Sequence, residues 1–388
     1  MKAFEPPRRV LMGPGPSEVS SRVLQAQARP TIGHLDPAFQ ALMEEVKGGL
    51  ARAFRSPEHA CLPLPGPGTA AMEAALLNLL EPGDTAVVAV NGVFGGRMAE
   101  MATRAGAEVV RVEHDWGQPL DPERVERALW ARGAKVLAFV QAETSTGALS
   151  DPAPLCRLAR EHGALTVVDC VTALGGVPVE GAEWDADVLY AGTQKCLSAP
   201  PGLAPFAVGA RALEAVRARK APPRTWLGDL GLLQTYWGGE GGRTYHHTAP
   251  VNAIYGLHES LRALEEEGLA AAWARHRRLG AALDAGLGAL GLGSPVPLEH
   301  RMPQLTAVLV PEGVDEAAVR ARMLERFGVE IGAGLGPFSG RVWRVGLMGA
   351  SATALNVRLC LTALAEALAA QGPAVSATEA LAACDAVL

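Results

Sequence analysis

From Thr69 to about Phe206, short continuous apolar runs alternate with longer amphipathic ones. "TAAMEAALLNLL" carries helical spacing, the turn "EPGD" follows it, and "TAVVAV" has the length of a buried strand. The alternation continues through "FGGRMAEMATRAG", "EVVRVE", "PERVERALWARG", "KVLAFVQA", "APLCRLAREHG" and "LTVVDCV". Apolar strands that do not alternate with polar residues are buried on both faces, so the pattern predicts a mostly parallel α/β sheet between two helical layers. Ligands of such sheets collect at the carboxyl ends of the strands.

Beyond Phe206 the pattern changes. A Gly/Trp-rich stretch, "TWLGDLGLLQTYWGGEGGRTYHHTAP", reads as irregular, and a helical run follows from Val251 to about Leu290. The last hundred residues return to an alternation of strand and helix, "QLTAVLVP", "DEAAVRARMLERFG", "RVWRVGLMG" and "TALNVRLCLTALAEALAAQG", which predicts a smaller α+β unit. The expected organisation is an N-terminal arm over residues 1–16, a large domain over 17–265 and a small C-terminal domain over 266–388.

Composition narrows the function. With 49% hydrophobic and 20% charged residues the chain is ordinary globular protein. A net charge of -6 supplies no basic field for a polyanion, and the arginine cluster "WARHRRLG" reads as a solvated helix face, which argues against nucleic acid. Six cysteines lie at 61, 156, 170, 196, 360 and 384 without a C-x-x-C pair, so neither a zinc site nor a disulfide framework is expected. "MKAFEPPRRVLMGPGPSE" has no apolar signal region, and no run is long enough to cross a bilayer. The expectation is a cytoplasmic protein with no membrane partner and no metal.

Lysine usage then points at one residue. The chain has five lysines, at 2, 47, 135, 195 and 220, against 30 arginines. Four sit in an arm, on a polar helix side, at a strand start or in a basic helix end. Lys195 instead lies in "YAGTQKCLSAPPG", between the apolar run "DVLY" and a rigid turn, with no second charge in the stretch. An unpaired ammonium leaves water only at considerable cost or by giving up its proton. Asp169, 26 residues earlier, ends the apolar run "ALTVVD". Opposite charges at the ends of consecutive strands of one sheet can face a single ligand.

A lysine and an aspartate so placed are the minimum set for pyridoxal phosphate, the amine bonding its aldehyde and the carboxylate pairing with its pyridine nitrogen. The phosphate requires backbone N–H groups, ideally at a helix N-terminus. "PGPGTAAMEAALLNLL" offers one, with glycines ending a strand and Thr69 opening a helix. A dehydrogenase would need G-x-G-x-x-G after a strand, a spacing this segment lacks.

These residues carry a family resemblance. "LMGPGPSEV", "IGHLDPAF", "NGVFGGR", "ETSTGAL", "VVDCVTALGG", "GTQKCLSAPPGLAPFAV", "TYHHTAPV" and "VWRVGLMG" occur in the order of the corresponding blocks of class V, fold type I aminotransferases. Within them the chain resembles the alanine:glyoxylate / serine:pyruvate aminotransferase group. The resemblance implies pyridoxal 5'-phosphate as cofactor, Lys195 as its Schiff-base lysine and Asp169 as the pyridine partner. It assigns the phosphate to Gly68, Thr69 and Gln194, ring stacking to Phe94, the opposite ring face to Val171, and a contact near the phenolic oxygen to Thr144.

The same likeness makes Arg344 the clamp for the substrate carboxylate, a role that suits a planar guanidinium. Tyr245 and Thr248 would reach the cofactor of a neighbouring subunit, so a homodimer is implied. His246 and His247 are expected to diverge as neighbours in extended chain. One departure stands out: Pro67 occupies a position where the family often has serine, which removes a backbone N–H from the phosphate loop.

The implied reaction transfers an amino group from a small L-amino acid, alanine or serine, to a small 2-oxo acid, glyoxylate or pyruvate. The nearest rivals are another transaminase specificity, such as aminoethylphosphonate:pyruvate, and a catalytically silent binding protein on the same fold. Intact Lys195, Asp169 and Arg344 argue against the silent protein. A cysteine desulfurase needs a nucleophilic cysteine on a mobile loop, a placement that neither Cys61 nor Cys196 offers.

Overall fold

The computed structural model describes residues 1–238 and 243–388. Seven strands form the principal sheet: β1 (Ala60–Pro65), β2 (Thr85–Val90), β3 (Glu108–Glu113), β4 (Val136–Val140), β5 (Leu165–Asp169), β6 (Val188–Tyr190) and β7 (Leu203–Val208). Their order is β1-β7-β6-β5-β4-β2-β3. Only β7 runs against its neighbours; the remaining pairings are parallel. Every residue of β4 ("VLAFV") and β5 ("LTVVD") is buried, as continuous apolar strands between two helical layers must be.

The covering helices include α1 (Pro37–Ala53), α2 (Gly68–Leu79), α3 (Val93–Arg104), α4 (Pro122–Arg132) and α5 (Pro152–Glu161). Asp36, Asp121 and Asp151 start α1, α4 and α5, each side chain accepting from an N–H two residues on, with proline opening the helix. The Gly/Trp-rich stretch is not wholly irregular. Leu230–Tyr236 is helical because Asp229 caps the N–H groups of Gly231 and Leu232 while Leu230, Leu233 and Tyr236 are buried on one side. Residues 239–242 of that stretch lie outside the described residues.

The long helical run is two helices, α6 (Val251–Glu267) and α7 (Leu269–Ala289), separated at Gly268. Its φ of +84° is a conformation that side chains resist. Apolar burial divides near this break. One cluster runs from Phe39 to Ala272 and takes in Met302, Leu305 and Met348. The other collects Leu279, Leu283, Trp343, Leu361 and Leu364. This second cluster packs on an antiparallel sheet of β8 (Leu305–Leu309), β9 (Gly332–Ala333) and β10 (Val342–Gly346), with β10 central. The N-terminal segment joins the second cluster: Val10–Leu11 pairs in parallel with Val329–Glu330, and Met12 is buried there.

Candidate active site

The chemistry sits at the carboxyl ends of β5 and β6. Asp169 is the last residue of β5 and 4% exposed. Its Oδ1 accepts from the Val171 N–H at 2.8 Å and its Oδ2 from the Tyr190 hydroxyl at 2.8 Å. Burial pushes the carboxyl up to about 6, against the pull of those two donors. Lys195 lies in the turn after β6. Burial brings its ammonium down to about 8, with Arg344 acting in the same direction and Asp169 opposing. The amine donates to the Pro14 carbonyl oxygen. The neighbouring Gly15 lies so close that an added side chain would collide with Lys195, so the N-terminal segment walls this lysine.

A second part of the site comes from the start of α2. Pro67 is the N-cap, and it supplies no side-chain capping bond. The N–H groups of Gly68 and Thr69 have no backbone acceptor among the described residues, as the first turn of a helix leaves them. Gly68 has to be glycine: a Cβ there would stand 2.6 Å from Val171 Cγ2. The side-chain oxygen of Gln194 is buried and has no donor.

A third part is the start of α3. Glu143, fully buried, accepts at Oε2 from the N–H groups of Phe94 (3.0 Å) and Gly95 (3.2 Å). Its Oε1 accepts from the N–H (3.1 Å) and hydroxyl (2.6 Å) of Ser145. Burial pushes the Glu143 carboxyl up, and these donors pull it back. The bonds fix the backbone at the start of α3, which carries the Phe94 ring. Arg97, one turn on, places its guanidinium carbon 4.8 Å from that ring's centre, and its Nη1 donates to Thr69 Oγ1 at 3.1 Å.

Between these parts lies a pocket of about 150 Å³. Gly68, Thr69, Phe94, Thr144, Asp169, Val171, Gln194 and Lys195 line it together, with Pro67, Met72, Arg97 and Thr172 among the rest of its wall. Arg344, on β10, is 7% exposed and does not line that pocket. Its Nε donates to the Ala333 carbonyl (2.7 Å) and its Nη1 to the Thr144 carbonyl (3.1 Å). Burial lowers its guanidinium to about 10. Two fixed nitrogens hold the plane and leave Nη2 for a ligand.

Tyr245 and Thr248 are not brought to this pocket. Both are exposed, Tyr245 by 64%, and their hydroxyl oxygens lie 3.5 Å apart. His246 and His247 do not diverge: their Nδ1 atoms are 2.8 Å apart and the rings meet edge to face. His246 Nε2 lies 3.0 Å from the Trp226 carbonyl and so carries a proton, which leaves its Nδ1 to accept from His247. Burial, then His246, lowers His247 to about 4. Among the described residues no group of His, Cys, Asp or Glu is arranged to hold a metal.

Three residues around the pocket were not singled out by the sequence pattern. In the sequence Tyr190 reads as the last apolar residue of "DVLY", Glu143 stands beside Thr144 with no signal of its own, and Arg97 is one arginine among 30. The available signals were a polar head ending a strand and a charge in a Gly-rich helix start.

Residues 18–341 match the family described as Aminotransferase class-V. The chain belongs to the class V aminotransferases. It is 40% identical over 365 residues to the alanine–glyoxylate aminotransferase of Drosophila melanogaster, covering 93% of each chain. The crystal structure of ureidoglycine–glyoxylate aminotransferase from Bacillus subtilis superposes with a TM-score of 0.97 at 37% identity, over 100% of this chain and 99% of that one. Alanine–glyoxylate aminotransferase from Nostoc sp. gives 0.93 at 43% identity, over 95% and 97%. This class V aminotransferase is therefore an α/β enzyme of fold type I, within a family of pyridoxal-phosphate-type enzymes.

Proposed function

We propose that this aminotransferase uses pyridoxal 5'-phosphate to move an amino group from a small L-amino acid, alanine or serine, to a small 2-oxo acid, glyoxylate or pyruvate. The observation that carries this reading is the meeting of Lys195 and Asp169 in one pocket with an uncapped helix start. Glyoxylate as acceptor is supported by the names of the relatives; their donors differ, alanine in one and ureidoglycine in another.

The residues present fit the cofactor. Gly68 and Thr69 have free N–H groups for a phosphate, and rotating the Gln194 amide by half a turn turns its orphaned buried edge into a donor. Phe94 and Val171 would flank the ring, with Thr144 near its phenolic oxygen. When bound, the cofactor supplies an electron sink for the bond to the substrate's α-proton. The remaining work belongs to the chain. Asp169 would pair with the pyridine nitrogen, since Val171 and Tyr190 leave lone pairs of its carboxylate free. Lys195, brought to about 8 by burial, has a substantial neutral fraction near pH 7.5 and takes the α-proton as general base. Arg344 binds the substrate carboxylate and fixes which bond faces Lys195.

Exposed Tyr245 and Thr248 support a homodimer in which these hydroxyls reach the partner's phosphate. A cytoplasmic setting is supported by six buried cysteines with no disulfide; no helix among the described residues is long and apolar enough to cross a membrane.

A visible absorption spectrum tests the function. The cofactor band is expected to fall on adding L-alanine or L-serine and to return with glyoxylate, whereas Lys195→Ala shows no turnover. Bleaching by L-aspartate alone would replace the proposed donor. Absence of any band after added pyridoxal phosphate would overturn the role of Lys195.

A further inference from the structure

Two helices point their N-termini at the pocket, and they are treated differently. At α3 the free N–H groups are taken up by Glu143, a buried carboxylate. At α2 the N-cap is Pro67, no side chain caps the first turn, and that turn holds no acidic residue. The positive end of the α2 dipole is therefore left open toward the pocket.

A cation has been added to it. Arg97 is the fifth residue of α3, the end of a helix where positive side chains are disfavoured by the dipole. Its guanidinium reaches across to Thr69 Oγ1, in the first turn of α2. It makes no salt bridge among the described residues. Of the two buried carboxylates near the pocket, Glu143 has both oxygens engaged by Phe94, Gly95 and Ser145, and Asp169 accepts from Val171 and Tyr190. A half-buried guanidinium beside two helix N-termini, with no carboxylate paired to it among the described residues, is an arrangement that an anion completes.

We propose that Arg97 is a phosphate-binding residue of the cofactor site, supplying across Thr69 the donor and the charge that Pro67 cannot. The assignment rests on the reading of the pocket as a pyridoxal-phosphate site. It goes beyond the residues implied by family resemblance, and it offsets part of what Pro67 removes from the cradle. Arg97 offers several N–H donors in a rigid fork, of which Thr69 occupies one. Its stacking over Phe94 holds that fork in place.

The test uses cofactor-stripped protein titrated with pyridoxal phosphate and, separately, with pyridoxal, which has no phosphate. Binding is followed by quenching of tryptophan fluorescence. The readout is the ratio of the two dissociation constants. In Arg97→Gln, pyridoxal phosphate is expected to bind about 10- to 100-fold more weakly, the range for a lost hydrogen bond to a charged group. Pyridoxal is expected to change less than about threefold, since its ring contacts remain. Arg97→Lys keeps the charge without the fork and should recover part of the ratio; it also carries the test if Arg97→Gln does not fold. Inorganic phosphate should compete with pyridoxal phosphate less well in either variant than in wild type. Equal losses for both ligands would show that Arg97 only supports Phe94, and an unchanged ratio in both variants would equally overturn the proposal. If wild-type protein binds neither ligand, the cofactor reading itself fails, an outcome distinct from either of these.

Discussion

Replacing Asp169 by asparagine should make the cofactor-free protein more stable at neutral pH, although it removes a residue proposed to act in the reaction. The carboxyl lies at 4% exposure with a pKa lifted from its ordinary 3.8 to about 6. The folded state therefore holds the proton more tightly than the unfolded chain. Its stabilising contribution is complete below pH 3.8, erodes between there and about 6, and is gone above. Ionising this buried group costs about 3 kcal/mol of folding stability at pH 7.5 and about half of that at pH 5.

Asparagine carries no such charge. It keeps an acceptor for the Val171 N–H, and the Tyr190 hydroxyl can turn to accept from the new amide, so about 1 kcal/mol is lost to imperfect hydrogen bonding. The net gain expected for Asp169→Asn is about 1–2 kcal/mol at pH 7.5, shrinking by about 1.4 kcal/mol at pH 5. Urea unfolding of wild type and variant, stripped of cofactor and compared at equal protein concentration across pH 5 to 7.5, measures it. A stability difference that does not change with pH would refute the argument, because the histidines that also titrate in this window are common to both proteins and cancel, leaving Asp169 as the group that differs.

Three further outcomes are expected. With its ammonium lowered to about 8 by burial, Lys195 is about one-quarter neutral at pH 7.5 against about 0.1% for an ordinary lysine, so the rate at which an amine-directed reagent labels it in cofactor-free protein should level off above about pH 8; a rate still climbing tenfold per unit at about pH 9.5 would contradict the shift. Tyr190→Phe removes a donor that pulls the Asp169 carboxyl down, and the acid limb of the activity profile should move up by roughly one pH unit or more; an unmoved limb would exclude that coupling. Pro67→Ser restores a backbone N–H and adds a hydroxyl at the α2 start. After dialysis it should retain several-fold more cofactor than wild type, and equal retention would show that Pro67 leaves no deficit.

The parts of the site that were legible in the sequence are those encoded in one segment. A strand ending in a carboxylate, a lone lysine after an apolar run and a glycine-rich helix start are each local, and the parallel sheet follows from uninterrupted apolar strands. What was not legible depends on contact between distant segments. Arg97 gains meaning from Thr69, 28 residues away, and Tyr190 from Asp169, 21 residues away. The short helix Leu230–Tyr236 was hidden because glycines and tryptophans around it mask the cap at Asp229. The histidine pair failed for a related reason: neighbours in extended chain diverge, but burial beside Tyr236 turned these two rings together.

The charges around the pocket make one statement that none makes alone. Lys195, Arg97 and Arg344 bring three cations to the ends of the strands, against the two carboxylates Asp169 and Glu143. Glu143 is absorbed by the start of α3 and Ser145, and Asp169 by Val171 and Tyr190, while α2 adds the positive end of its dipole. Burial answers by weakening the hold of Lys195 and Arg344 on their protons. A surplus of positive potential in a concave, partly desolvated place selects an anion and is relieved when one arrives. Two anionic groups, a phosphate at one end and a carboxylate at the other, would neutralise it, and any ligand bearing both would stabilise the folded protein in proportion to its binding.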